Sequence, residues 1–81
     1  MKYILSDQIA LRSWQKAPRG YYVKNRKYAE PLTRDEFIVL LRCDGQQELE
    51  ETAVLRSLME RKLCRRAAGG ETLTSWQKLR I

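Results

Sequence analysis

Pro31-Leu-Thr-Arg-Asp-Glu-Phe-Ile-Val-Leu-Leu-Arg-Cys-Asp-Gly45 decides the fold. Thr33 is a good N-cap, and Glu36 three residues later completes a Thr-x-x-Glu capping box. Phe37, Leu40 and Leu41 form an apolar stripe at helical spacing, widened by Ile38 and Val39. Asp44-Gly45 is the expected stop, because glycine takes the left-handed conformation at low cost. One amphipathic helix is therefore fixed, and the rest of the chain can be read outward from it.

Upstream the period changes from helical to two. Ile9-Ala-Leu-Arg-Ser-Trp-Gln15 alternates, Tyr21-Tyr-Val-Lys24 is a second short run, and Lys27-Tyr-Ala-Glu-Pro-Leu32 a third. Ala17-Pro-Arg-Gly20 and Asn25-Arg26 supply the turns between them. Pro31 lacks an N–H and so suits an edge strand. These runs predict a three-stranded antiparallel meander with an open edge at its third strand.

Downstream, residues 46–51 are polar apart from Leu49 and read as a loop or one helical turn. Thr52 can cap a second helix, with Val54, Leu55, Leu58 and Met59 on one face. Leu63-Cys-Arg-Arg-Ala67, a turn at Ala68-Gly-Gly-Glu71, and Thr72-Leu-Thr-Ser-Trp76 predict a C-terminal β-hairpin. The fold class is α+β, of winged helix-turn-helix type: meander, two or three helices, hairpin. Residues 1–81 form one domain. The tail Gln77-Lys-Leu-Arg-Ile81 carries no stop feature, which predicts a further domain beyond it. Ser13-Trp-Gln-Lys16 recurs as Ser75-Trp-Gln-Lys78. The spacing is too large for a repeat architecture, but the two tryptophans could pack together and close the sheet.

Composition narrows the function classes. The chain has no histidine, two cysteines and a formal charge of +6. Four zinc ligands are not at hand, so no metal site is expected. Cys43 and Cys64 read as buried free thiols of a reducing compartment. Neither a signal peptide nor a membrane span is visible, and the expected location is cytoplasmic. No nucleophile–base pair can be assembled. Asp35 and Glu36 suit a first helical turn better than acid–base work. Function must therefore come from binding.

Charge points to the kind of partner. Residues 1–28 carry seven basic and one acidic residue, residues 29–51 two and seven, and residues 52–81 seven and two. Two cationic segments thus flank an anionic one, a layout that favours an anionic partner or internal pairing between the segments. Two surfaces could bind. The first is the strand edge at Lys27, Tyr28, Ala29 and Glu30, where an extended peptide could add as a further strand. Leu55, Arg56 and Met59 would wall a groove beside it, and Lys27 with Arg56 would attract an acidic peptide. The bland alternative makes Leu55 and Met59 core and Lys27 a guard against aggregation. The second surface is the basic cluster Arg56, Arg61, Lys62, Arg65 and Arg66, which could meet DNA phosphates. Acidic Glu48, Glu50 and Glu51 count against it. A third reading is a structural appendage that docks through Trp14 or Trp76.

The meander, then the Leu32-to-Gly45 helix ending in Leu-Leu-Arg-Cys-Asp-Gly, then a short helix ending in Arg61-Lys-Leu63, resembles a family. It is similar to the peptide-recognition domains of ribosomal peptide maturation (RiPP recognition elements, PqqD-like). The likeness is greatest to the N-terminal domain of radical SAM/SPASM peptide maturases, through Ile9-Ala-Leu-Arg-Ser-Trp-Gln15, Tyr21-Tyr22, Arg42-Cys-Asp-Gly45 and Trp76-Gln77. The resemblance implies binding of a precursor peptide's leader segment between the third strand and the last helix. The core peptide would be delivered to an attached radical SAM domain. That chemistry uses S-adenosylmethionine and 4Fe-4S clusters held by a Cys-x-x-x-Cys-x-x-Cys motif. This chain lacks the motif, so no cofactor is expected here.

Overall fold

The computed structural model describes residues 1–14, 20–24 and 29–78, with the backbone alone for 14 and 20–24. In chain order the elements are β1 (Lys2–Leu5), β2 (Ala10–Trp14), β3 (Gly20–Lys24), β4 (Ala29–Leu32), α1 (Arg34–Arg42), β5 (Asp44–Glu48), α2 (Ala53–Glu60) and β6 (Cys64–Arg66). The class is α+β. Two three-stranded antiparallel sheets, β2-β3-β4 and β5-β1-β6, share one core with the two helices.

The expected meander is present. β2 pairs β3 from Ala10↔Lys24 to Trp14↔Gly20, and β3 pairs β4 from Tyr21↔Leu32 to Lys24↔Ala29. The expected turn at Asn25-Arg26 lies outside the described residues, as does most of that at Ala17-Pro-Arg-Gly20. Helix α1 starts where its capping box predicts. Thr33 Oγ1 accepts from the Glu36 N–H at 3.2 Å, and Glu36 Oε1 accepts from the Thr33 N–H at 2.9 Å. The helix stops at Arg42, with Cys43 as C-cap, and Gly45 takes the left-handed φ of +80° two residues past it. Its apolar stripe is narrower than expected. Leu40 is buried, while Leu41 stands 45% exposed, rotated off the core-facing side. Helix α2 follows expectation: Thr52 Oγ1 caps the Leu55 N–H at 3.2 Å, and Leu55 and Leu58 enter the core.

The second sheet departs from expectation in two places. Asp44–Glu48, within a stretch read as helix stop and loop, is strand β5. It is polar and exposed from Gln46 on, so no alternation marks it. It forms because β1 needs a partner on that side: Lys2↔Glu48 and Ile4↔Asp44 are in register, and the Met1 amine pairs with Glu48. The predicted C-terminal hairpin is also absent. β6 pairs with β1 instead, through Tyr3↔Arg66, Ile4↔Arg65 and Leu5↔Cys64, and residues 71–74 run on without strand structure. Tyr3 and Leu5 are buried by this arrangement, apolar area that a pairing with the hydroxyl-rich return segment could not cover. The turn at residues 68–71 does form, with the Glu71 N–H donating to the Ala68 carbonyl.

Cys43 and Cys64 are free and buried, and their backbones flank β1. The Leu5 N–H donates to the Cys43 carbonyl, and Leu5 is aligned with Cys64. A hydrogen bond with the Cys64 thiol, then burial, push the Cys43 thiol pKa up and keep it protonated.

Glu71 closes the loop after β6. Its carboxylate takes Arg65 Nη1 at 2.8 Å and Nη2 at 2.7 Å, plus the Ala68 N–H at 2.6 Å. Hydrogen bonds from Arg65, then from the backbone of Ala68, lower its pKa from 4.5 to about 2. A depressed carboxylate adds stability in full above its unfolded pKa and loses it as pH falls through the folded one. Glu71→Gln should therefore flatten the acid side of the stability profile between 4.5 and about 2. Urea melts of both proteins across that window check it.

Candidate functional site

The β2-β3-β4 sheet has two outer edges, and they are treated differently. Along β2, residues 76–78 lie against the strand: the Leu11 N–H donates to the Gln77 carbonyl at 3.2 Å. Along β4 no strand pairs on the side away from β3 among the described residues. Pro31 has no N–H, so the Tyr22↔Pro31 pair fits the non-hydrogen-bonded position of the ladder. Glu30 and Leu32 then bond inward to β3. Ala29 N–H, Ala29 C=O and Pro31 C=O are left pointing outward.

A clamp fixes what stands beside this edge. Arg61, the C-cap of α2, reaches Glu30 on β4 at 2.6 Å and Glu36 on α1 at 2.5 Å. Glu36 thus caps α1 with one oxygen and holds Arg61 with the other. The hydrogen bond that Arg61 donates to Glu30, with the charge of Glu36, raises the Arg61 pKa. Next to the clamp an open trough of about 330 Å³ runs between the start of α1 and α2. Thr33, Asp35 and Glu36 line one side, and Ala53, Val54 and Ser57 the other. It begins one residue past the end of β4.

The sequence-predicted residues divide. Lys27 and Tyr28 lie outside the described residues. Ala29 and Glu30 are on β4, the first exposed and the second held by Arg61. Leu55 is 1% exposed and belongs to the core. It reaches the floor of a different trough, of about 330 Å³, with Ile38, Val39 and Leu49. Met59 packs half-buried against the core. Arg56 is exposed and 3.8 Å from Glu51. At 100° per residue, Met59 sits nearly opposite the flank formed by Ala53, Val54 and Ser57. The helix face nearest β4 is therefore that flank together with Arg61. Ala53 and Ser57 gave no apolar signal, and Val54 read as part of the core-facing side, so nothing in the sequence marked this flank.

The cationic cluster is partly spent. Arg61 holds two carboxylates, and Arg65 holds Glu71 and Asp7, the latter at 2.9 Å. Lys62 and Arg66 make no ion pair among the described residues. The expected contact between the two tryptophans falls on the Trp14 side chain, outside the described residues; Trp76 carries the Arg12 guanidinium 5.5 Å from its ring centre. No group of three or more potential metal ligands occurs among the described residues. No described helix is long and apolar enough to cross a membrane. The chain matches no protein-family model, no curated protein and no solved structure.

Proposed function

We propose that this chain is a non-catalytic peptide-binding module that takes an extended segment as a fourth strand along β4. In this reading the segment is the leader of a ribosomally made precursor peptide, bound in the cytoplasm and presented to a radical SAM maturase domain. S-adenosylmethionine and the 4Fe-4S clusters belong to that domain. The meander and the two helices serve as a winged-helix-like scaffold without the hairpin wing. One observation carries the reading: among the described residues no strand pairs with the outer edge of β4, which lies next to a trough, while the β2 edge of the same sheet is covered. Main-chain hydrogen bonds would supply affinity and the trough would select side chains. Ala29 and Pro31 offer one donor and two acceptors on the stretch described, so the added strand gains little from backbone alone and depends on the trough. The lack of histidine and of a nucleophile–base pair in the sequence favours binding over catalysis.

Selection of random peptides on phage, followed by titration of the isotope-labelled protein with a selected peptide, tests this. The amides of Ala29, Asp35, Val54 and Ser57 should move first. Peptides that bind while leaving Ala29 unmoved, or a library that yields no binder, would overturn it. A DNA-binding role is disfavoured, because Arg61 and Arg65 would have to leave two carboxylates each to reach phosphate. Salt-sensitive duplex binding that shifts Lys62 and Arg66 would reinstate it.

A further inference from the structure

Register shows which backbone groups of β2 point away from β3. The Leu11 N–H leaves the sheet toward Gln77, so Ile9 and Leu11 lie on the outward row. The Ile9 N–H turns back to the Ser6 carbonyl, while the Ile9 carbonyl and both Leu11 groups are taken by one short segment and by Arg12. Gln77 Nε2 donates to the Ile9 carbonyl at 3.2 Å and to the Ser6 carbonyl at 2.9 Å. Arg12 Nη1 donates to the Leu11 carbonyl at 2.7 Å. The same guanidinium reaches over the segment, to the Lys78 carbonyl at 3.0 Å and the Trp76 carbonyl at 2.5 Å, and stacks on the Trp76 ring.

The segment is built to hold that shape. Thr74 Oγ1 accepts from the Gln77 N–H at 3.3 Å, and Gln77 Oε1 accepts from the Thr74 N–H at 3.2 Å. This is the reciprocal Thr-x-x-Gln box seen at helix starts. It leaves the Gln77 amide nitrogen free to face inward. Gln77 is 4% exposed, the one buried polar side chain of the described core, and among the described residues no buried side-chain N or O lacks a partner.

We propose that residues 74–78 are an edge strap, and that its release frees β2 to pair with β2 of a second copy of this chain. The strap does for β2 what a further strand would do, in place of one. The edge beneath it is suited to its own mate. Ile9, Ala10 and Leu11 are buried apolar residues, no proline interrupts the row, and an antiparallel two-fold pairing lets each Leu11 region serve its counterpart. β4 is a poorer site for self-pairing, because Pro31 removes a donor there. The inference stands apart from peptide capture at β4: one edge can be strapped whether or not the other binds a ligand.

Gln77→Ala and Arg12→Ala loosen the strap from inside and from outside. Light scattering with size exclusion should show the wild type as a monomer and both variants as concentration-dependent dimers. In the dilute monomeric variants the Leu11 amide should exchange much faster than in wild type. An excess of a blocked peptide of sequence 72–78 should return Gln77→Ala to monomer by refilling the edge. Variants that stay monomeric overturn the proposal, whether Leu11 exchange is unchanged or fast. So does a dimer that protects Ala29 and not the β2 amides. If Gln77→Ala fails to fold, Arg12→Ala, whose side chain lies outside the core, decides between the same outcomes.

Discussion

Gly45→Ala should lower the unfolding free energy by about 2–5 kcal/mol, the sum of a left-handed backbone penalty and an overpacking cost. Gly45 has φ +80°, and a Cβ there would lie 3.2 Å from the Glu71 carbonyl carbon, with the carbonyl oxygen closer still. On the other side it meets Ile4 Cδ1 at 3.4 Å. Backbone cannot yield as a side-chain tip can. Moving residue 71 would also disturb the Gln46 amide bound to its carbonyl at 3.0 Å and the Arg65 pair on its carboxylate. Gly70 provides the control. Its φ is +82°, yet nothing lies within 4 Å of a Cβ built on it. Gly70→Ala should therefore show the backbone penalty alone, about 1–2 kcal/mol. The comparison is read as two urea midpoints at constant slope. Equal losses at the two glycines would mean that residue 71 does not press on β5. For a domain of this size, with total stability of roughly 4–12 kcal/mol, the Gly45 variant approaches the limit of folding.

That crossing of residue 71 over Gly45 is also where the sequence stopped being readable. Helix α1 was legible because its signals are local: Thr33, Glu36 and the Leu40 face lie within one stretch. α2 and the meander were legible for the same reason. β5 was not, since four polar residues and a glycine become a strand only when β1 lies alongside. β1 itself has no alternation to display, as Tyr3, Ile4 and Leu5 are all buried. The hairpin expectation failed in a related way. Two β-capable runs around Gly69-Gly70 satisfy the local rule, but β1 competes for β6 and wins through its apolar side chains. Charges were the least readable. Arg61 and Arg65 look like members of a cationic face in one dimension. In space their carboxylates come from 25, 31 and 58 residues away, with Glu71 the near exception.

Leu55→Ala should cost about 2–5 kcal/mol, the range for removing a buried leucine side chain and leaving a cavity. Two roles for this residue can be separated by where the loss appears. As a groove wall it would reduce peptide affinity and spare stability. As core it does the reverse, and its 1% exposure within the cluster of Leu40, Leu58 and Leu63 places it there. Its neighbours on α2 set the scale. Met59 is half-buried, so its truncation should cost less than that of Leu55. Arg56 is exposed beside a loose 3.8 Å pair with Glu51, so Arg56→Ala should stay within about 0.5 kcal/mol. Peptide affinity, measured on the folded fraction, should respond instead at the opposite flank. Val54→Lys would fill the trough beside β4 and weaken binding, while Leu55→Ala would leave it nearly unchanged. If Leu55→Ala weakened binding as strongly as Val54→Lys at full folding, the groove would have to run on the other side of α2, over Ile38, Val39 and Leu49. β4 would then no longer form its edge.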